Sequence, residues 1–310
     1  MNKIAVIGVP SSAGARHVGQ EGAPSLFRRA GLIEGLRAAQ LEVVDLDDLP
    51  QVSYRPDPRN PKQQNLTLVC DVAKRAADQV GRAIQAGAKP VVLGGDCTIT
   101  IGVLAGLVRH FPDLGLIYFD GDIDLNTPAE TSSGILDGMG MAHIIGKGAE
   151  ALAHLGPRCP LMPEQNIVLF GDNPDAGYLD DTEIQRLQRC SMARYPVPQI
   201  RTRVAEAARE AVQRLEERVA RILVHFDVDV IEFQDFPVAD VGHDHGLTFA
   251  EAMQGLQVFL SSPKFAGLVV TEFNAERDVD GSSAVRLVTA IAKALGDAHL
   301  HWKESNVVHP

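Results

Sequence analysis

Four cysteines, Cys70, Cys97, Cys159 and Cys190, are scattered without regular spacing over 310 residues. That is too sparse for a disulfide frame, and it points to a reducing, cytoplasmic setting. Long apolar runs are also missing, so no segment reads as a membrane span. The opening run to Val9 is too short for a secretory signal and reads as a buried strand. Positive charge is scarce. A formal net charge of −11 and a sequence pI of about 5.4 exclude nucleic acid and anionic membrane as main partners. Repeats, low-complexity tracts and linkers are absent too. Residues 1–310 therefore read as a single domain, with a C-terminal tail from about residue 299 that includes His299, His301 and His309.

What is present is a 45% hydrophobic chain in which strand and helix patterns alternate. Strands are expected at Lys3–Val9, Leu41–Leu46, Lys89–Gly94, Leu114–Asp120, Asn166–Gly171, Arg221–Asp227 and Phe265–Glu272. Helices are expected from Gly22 to about Gln40, from Gln63 to about Ala86, and over Thr98–His110, Asp180–Cys190, Arg201–Ala220, Thr248–Leu260 and Ser282–Leu295. A further helix is expected to begin near Asp137, and the stretch from Gly148 to Ile200 carries the weakest pattern. Such alternation predicts one parallel sheet covered on both faces.

The polar clusters fall just after strand ends. They are Gly94-Gly95-Asp96-Cys97, Asp120-Gly121-Asp122-Ile123-Asp124, Asp227-Val228-Asp229 and Glu272. Ligands of open parallel sheets bind outside the carboxyl ends of the strands. Asp120, Asp122 and Asp124 alternate, so an extended chain would turn all three to one side. Converging carboxylates need protons, cationic side chains or a metal to offset their repulsion, and so many oxygen donors suit divalent cations.

These residues resemble the motifs of the ureohydrolase family, which comprises arginases, agmatinases and formimidoylglutamases. Gly94-Gly95-Asp96-Cys97-Thr98 resembles GGDHS, Asp120 to Pro128 resembles DAHxDxNTP, Phe226-Asp227-Val228-Asp229 resembles SxDxDxxDP, and Glu272-Phe273-Asn274 resembles a late Glu-x-Asn. The start is similar too, in Ile4–Pro10, Glu21-Gly22-Ala23-Pro24 and Arg29-Ala30-Gly31-Leu32. The resemblance implies a three-layer αβα fold with a mostly parallel eight-stranded sheet, and a trimeric or hexameric homo-oligomer. It implies two Mn²⁺ ions held by four Asp and two His, with a bridging hydroxide that attacks a guanidinium carbon. By position the Asp ligands are Asp120, Asp124, Asp227 and Asp229, and Glu272 matches the acid that holds the small cationic substrate. Asn126 and Ser133 match positions that contact an amino-acid head group.

The chain departs from the pattern at the imidazoles. Cys97 and Asp122 stand at the two His ligand positions, and Asp137 stands where a Leu-His-Gly-Met loop carries a proton-shuttling His. An internal Arg or Lys beside Glu272, a helix cap at Asp137 and an inert buried thiol at Cys97 are the plain alternatives. A thiolate favours Zn²⁺ or Fe²⁺ over Mn²⁺. An altered two-ion centre, one ion and no metal all stay open. His243 and His245, in the loop after the Asp227 strand, are candidates to supply a missing imidazole. The leading expectation is a metal-dependent hydrolase of a guanidino, hydroxyguanidino or amidine C–N bond, in which Asp122 or Asp137 moves protons. The alternative is a catalytically silent paralogue that binds a ligand or an active relative.

Overall fold

The computed structural model describes residues 3–174 and 181–304. Eight strands form one sheet: β1 (Lys3–Gly8), β2 (Glu42–Asp48), β3 (Lys89–Leu93), β4 (Leu114–Phe119), β5 (Ile167–Phe170), β6 (Ala193–Tyr195), β7 (Arg221–Asp227) and β8 (Phe265–Thr271). Their spatial order is β2-β1-β3-β8-β7-β4-β5-β6, and every neighbouring pair is parallel. The central strands are apolar on both sides, as a doubly covered sheet requires, and all of β4 and β8 is buried.

Side-chain alternation sorts these strands into two cores. Ile117, Phe119, Val224 and Phe226 face the layer of helices Ala23–Arg29, Leu32–Ala38, Val204–Glu216, Phe249–Leu260 and Ser282–Glu304. Leu116, Tyr118 and Leu223 face the helices Leu66–Gln85, Ile99–Val108 and Gly140–Ile144. The result is the expected three-layer αβα arrangement.

Three local readings are corrected. The helix expected from Gly22 to Gln40 is broken in two, because Gly31 adopts φ 90°, a left-handed conformation that ends one helix and starts the next. The short strand β6 falls inside the stretch of weakest pattern. It spans three residues at the sheet edge, all half-buried, so it has no apolar run to announce it. The last helix continues to Glu304, so residues 299–304 are not a tail. His299 and Trp302 are buried, and the Trp302 indole N–H donates to the Leu260 carbonyl at 2.9 Å. His309, and the start of the helix expected from Asp180, lie outside the described residues.

The four strands that end in polar clusters, β3, β8, β7 and β4, are consecutive in the sheet. This adjacency turns clusters far apart in sequence into one crevice. A tight backbone contact fixes its floor. The Asp96 N–H donates to the Ser11 carbonyl at 2.9 Å, and a Cβ on Gly95 would lie 1.8 Å from that same oxygen. Gly95→Ala is therefore expected to shift the loop after β3 and to destabilise the chain by about 1–3 kcal/mol, measured by denaturant unfolding.

Candidate functional site

The crevice opens into a cavity of about 320 Å³. Cys97, Asp120, Asp122, Asp124, Asp137, Asp227, Asp229 and Glu272 all line it, together with Asn126 and Ser133. Every ligand, proton-transfer and substrate position assigned from the motifs thus reaches one wall or another of a single space. Arg16 and His17, both exposed, stand beside the cavity as well.

Backbone donors orient the carboxylates. Asp120 accepts from the Asp122 N–H at 2.7 Å, Asp227 from the Asp229 N–H at 2.8 Å, and Asp229 from the Gly121 N–H at 3.0 Å. The Tyr118 hydroxyl donates to Asp124. Asp124 and Glu272 hold φ 47° and 62°, left-handed values that cost a non-glycine residue energy and that cluster at functional positions.

The Cys97 thiol is buried and donates to Asp227 Oδ2 at 2.6 Å. Burial and the neighbouring Asp227 push its pKa well up, so the thiol keeps its proton while no cation is near. The Asp137 carboxylate does not cap its own helical turn. It reaches across to accept the Cys97 N–H at 2.7 Å, so the helix-cap expectation is corrected. The same N–H also contacts Glu272 Oε1 at 3.2 Å, and Asp137 and Glu272 share a hydrogen bond. Glu272 further accepts from the Gln20 amide at 3.0 Å. Among the described residues no Arg or Lys pairs with it, so the internal cation considered for Glu272 is not there.

Two histidines complete the picture. His243 is fully buried, with Nε2 3.5 Å from both Asp122 Oδ2 and Asp229 Oδ2. Of the two loop candidates it is the one that enters the site; His245 is exposed at φ 63°. His225 is the residue that the motifs missed. It is fully buried on β7, its Nε2 lies 3.3 Å from Asp120 Oδ2 and 3.6 Å from Cys97 Sγ, and its Nδ1 lies 2.8 Å from the Thr100 hydroxyl. A signal for it exists: residues two apart on a strand share a face, so His225 has to lie on the side of Asp227.

Ligand-type atoms gather in three groups, each within 4.8 Å, the first two sharing Cys97: Cys97, Asp120, His225 and Asp227; Cys97, Asp137 and Glu272; Asp122, Asp229 and His243. Burial, and then the mutual repulsion of Asp227, Asp229 and Asp124, raise the Asp120 carboxyl well above its ordinary range. Asp124, Asp227 and Glu272 are raised likewise, burial first. A set of buried oxygen, nitrogen and sulfur donors that cannot all ionise together is chemically suited to a divalent cation.

The metal-free chain should therefore respond to pH in a definite direction. Burial and Asp96 raise Asp137 to about 8. For His243, burial opposes the charge but Asp122 and Asp229 override it, raising the imidazole to about 11. Between about pH 6.5 and 7.5 both groups bind more proton in the folded chain than in the unfolded one, so stability falls as pH rises. Burial lowers His225 to about 3 and His143 to about 4, which gives an opposite slope that is strongest below their ordinary value of 6.5 and fades across this window. Thermal unfolding of the chelated protein across that window should show the decline, and saturating divalent metal should flatten it.

Known proteins place this arrangement. The arginase of Bacillus caldovelox is 29% identical over 297 residues, covering 94% of this chain and 98% of that protein. The crystal structure of arginase from Bacillus cereus superposes with a TM-score of 0.86 at 28% identity, covering 96% of this chain and 99% of that one. The proclavaminate amidino hydrolase from Streptomyces clavuligerus, at 17% identity and a TM-score of 0.72, shares the fold, covering 97% of this chain and 92% of its own. The sequence matches the Arginase family over residues 2–296, and with the sheet order and the carboxylate crevice this establishes that the chain belongs to the arginase family.

Proposed function

We propose that the chain hydrolyses the C–N bond of a guanidino, hydroxyguanidino or amidine compound in a metal-dependent reaction. The observation that carries this reading is the pairing of Glu272 with Asp137 on the wall of a carboxylate-lined cavity, with no Arg or Lys paired to either among the described residues. Two abutting acids, Glu272 buried and Asp137 half-buried, with no Arg or Lys paired to them form a receptor for a cationic guest. An amidinium offers a planar fork of N–H donors that matches a carboxylate, so Glu272 is assigned to hold the substrate's cation.

Asp120, Asp124, Asp227 and Asp229 are the proposed carboxylate ligands of a divalent metal, with Cys97 and Asp122 at the remaining positions. The ion would supply Lewis acidity and a water of lowered pKa. Mn²⁺ is the family's ion, and the Cys97 sulfur admits Zn²⁺ or Fe²⁺. Asp137 is the better proton carrier of the two acids considered. Its carboxyl, raised to about 8, is mostly protonated at neutral pH and touches the proposed cation site, so it can protonate the departing nitrogen. Asp122 instead faces His243 at 3.5 Å. Asn126 and Ser133 are assigned to the substrate's head group, on the resemblance and on their place in the same cavity. The homo-oligomer implied by the resemblance is part of the same proposal.

The silent-paralogue alternative is not favoured. It offers no reason for the chain to keep these ionisable groups buried against their mutual repulsion, and relatives it matches along nearly its whole length are named as arginases.

A panel of guanidino, hydroxyguanidino and amidine compounds should yield urea, hydroxyurea or an amide with the metal-loaded chain, and chelation should abolish turnover. Glu272→Gln should lower kcat/KM roughly 30- to 5,000-fold, a loss of about 2–5 kcal/mol. No product from any panel member with the fully loaded chain would defeat the proposal.

A further inference from the structure

The sequence sets Cys97 and Asp122 where the family pattern has its two imidazoles. Two other imidazoles nevertheless stand among these acids, one in the Cys97–Asp120–Asp227 group and one in the Asp122–Asp229 group, and both are completely buried. They arrive from different places. His225 comes from the body of β7, and His243 from the loop that follows it. We propose that this pair replaces the two missing histidines as metal ligands, His225 with Cys97, Asp120 and Asp227, and His243 with Asp122 and Asp229. The inference rests on the metal-dependent function proposed for the chain and goes beyond it, because it concerns which atoms hold the ions.

Local packing favours the exchange at both ends. At the first group, a small side chain at Cys97 leaves room for the ring at His225. That ring is stacked on Tyr118 with centroids 4.2 Å apart and planes 7° from parallel. The family motif SxDxDxxDP carries Ser two residues before its first Asp, the position of His225. The Thr100 hydroxyl 2.8 Å from Nδ1 engages the nitrogen that faces away from the acids. Nε2 is left aimed at Asp120 and Cys97. A metal-bound imidazole is commonly held through its other nitrogen in this manner, which fixes its tautomer.

At the second group, the decisive residue is Gly121. The motif DAHxDxNTP carries Ala there, but a Cβ on Gly121 would lie 2.8 Å from His243 Cδ2 and 2.9 Å from Nε2. His243 can occupy its place between Asp122 and Asp229 only because residue 121 has no side chain. The loss of an imidazole at 122 and the loss of a methyl at 121 are thus two parts of one rearrangement: the ring is removed from one strand end and admitted from a neighbouring loop.

Metal content and coordination test the exchange without any turnover measurement. The full-length protein, loaded separately with Mn²⁺ and Zn²⁺ and dialysed, should hold two ions per chain by elemental analysis. X-ray absorption of the Zn²⁺ form should show imidazole scattering at about one ring per ion, with a sulfur contribution from Cys97. His225→Phe keeps the stacking surface and should lose the ion of the Cys97 group. Gly121→Ala, which leaves every donor in place, should displace His243 and lose or weaken the ion of the Asp122 group. Thr100→Val should weaken binding by about 10–100-fold, and Thr100→Ser should restore it. Absence of imidazole scattering in the wild-type protein would overturn the assignment irrespective of how the variants fold. So would unchanged metal content in both His225→Phe and Gly121→Ala. If the wild-type chain binds its ions through imidazole but turns over no amidine compound, the functional proposal fails and the ligand assignment stands. Turnover with no imidazole at the metal overturns the ligand assignment and leaves the functional proposal standing.

Discussion

Electrostatic repulsion among buried carboxylates is the constraint on which this molecule turns. Asp120, Asp124, Asp227 and Glu272 are nearly or fully buried at the ends of three neighbouring strands, and burial with mutual repulsion drives their pKa values far upward. Water alone does not offset such a cluster, because little of it reaches these groups. The rest of the crevice can be understood as what accompanies that cost. Backbone N–H groups of Asp122, Asp229, Gly121 and Cys97 point at the acids, Tyr118 and Gln20 donate to them, and Asp137 keeps a proton that an exposed aspartate would lose. In the proposed reaction a cation completes the offset, as metal at one set of acids and as the substrate's amidinium at Glu272.

The sheet makes this concentration possible. Its strand order places β3, β8, β7 and β4 side by side although they lie far apart along the chain. All run parallel, so all four chain exits lie at one edge, where helices cannot cover them and loops must. The acids do not stabilise the fold. The two apolar cores do that, and the stability they supply is what allows strained positions such as Glu272 to persist at the crevice floor.

Much of this is legible in the sequence, and for identifiable reasons. Asp120, Asp227 and Glu272 each follow a run of apolar residues, and a charge at the end of a buried strand is conspicuous. His225 is different. It sits inside the apolar run Arg221–Asp227, so it reads as one more core residue, and only its two-residue spacing from Asp227 sets it on the reactive face. Asp137 precedes a helical turn and so resembles a cap, whereas its carboxylate serves another segment entirely, the Cys97 N–H. Contacts of that kind join distant parts of the chain and leave no local pattern. His299 and Trp302 show the same limit at the other end of the molecule. A helix that is polar near its end reads as finished at Leu295, but burial of Trp302 and its bond to Leu260 carry it on to Glu304.

The histidines bear most directly on whether the divergent motifs signal decay. In a crevice released from metal binding, the positions once held by imidazoles would drift independently, and no pressure would bring other imidazoles to the same acids. Here the residues fit one another. Cys97 is small where His225 is large, and Gly121 is bare where His243 enters. Each change is awkward alone: a histidine at 225 would crowd an imidazole at 97, and a histidine at 243 would collide with a methyl at 121. Taken in pairs they are compatible, and each pair leaves one ring beside one set of carboxylates. Cys97 and Asp122 by themselves argue for a lost activity. With His225 and His243 in view they argue for a site whose ligands have been redistributed among strands and loops while its donor chemistry has been kept.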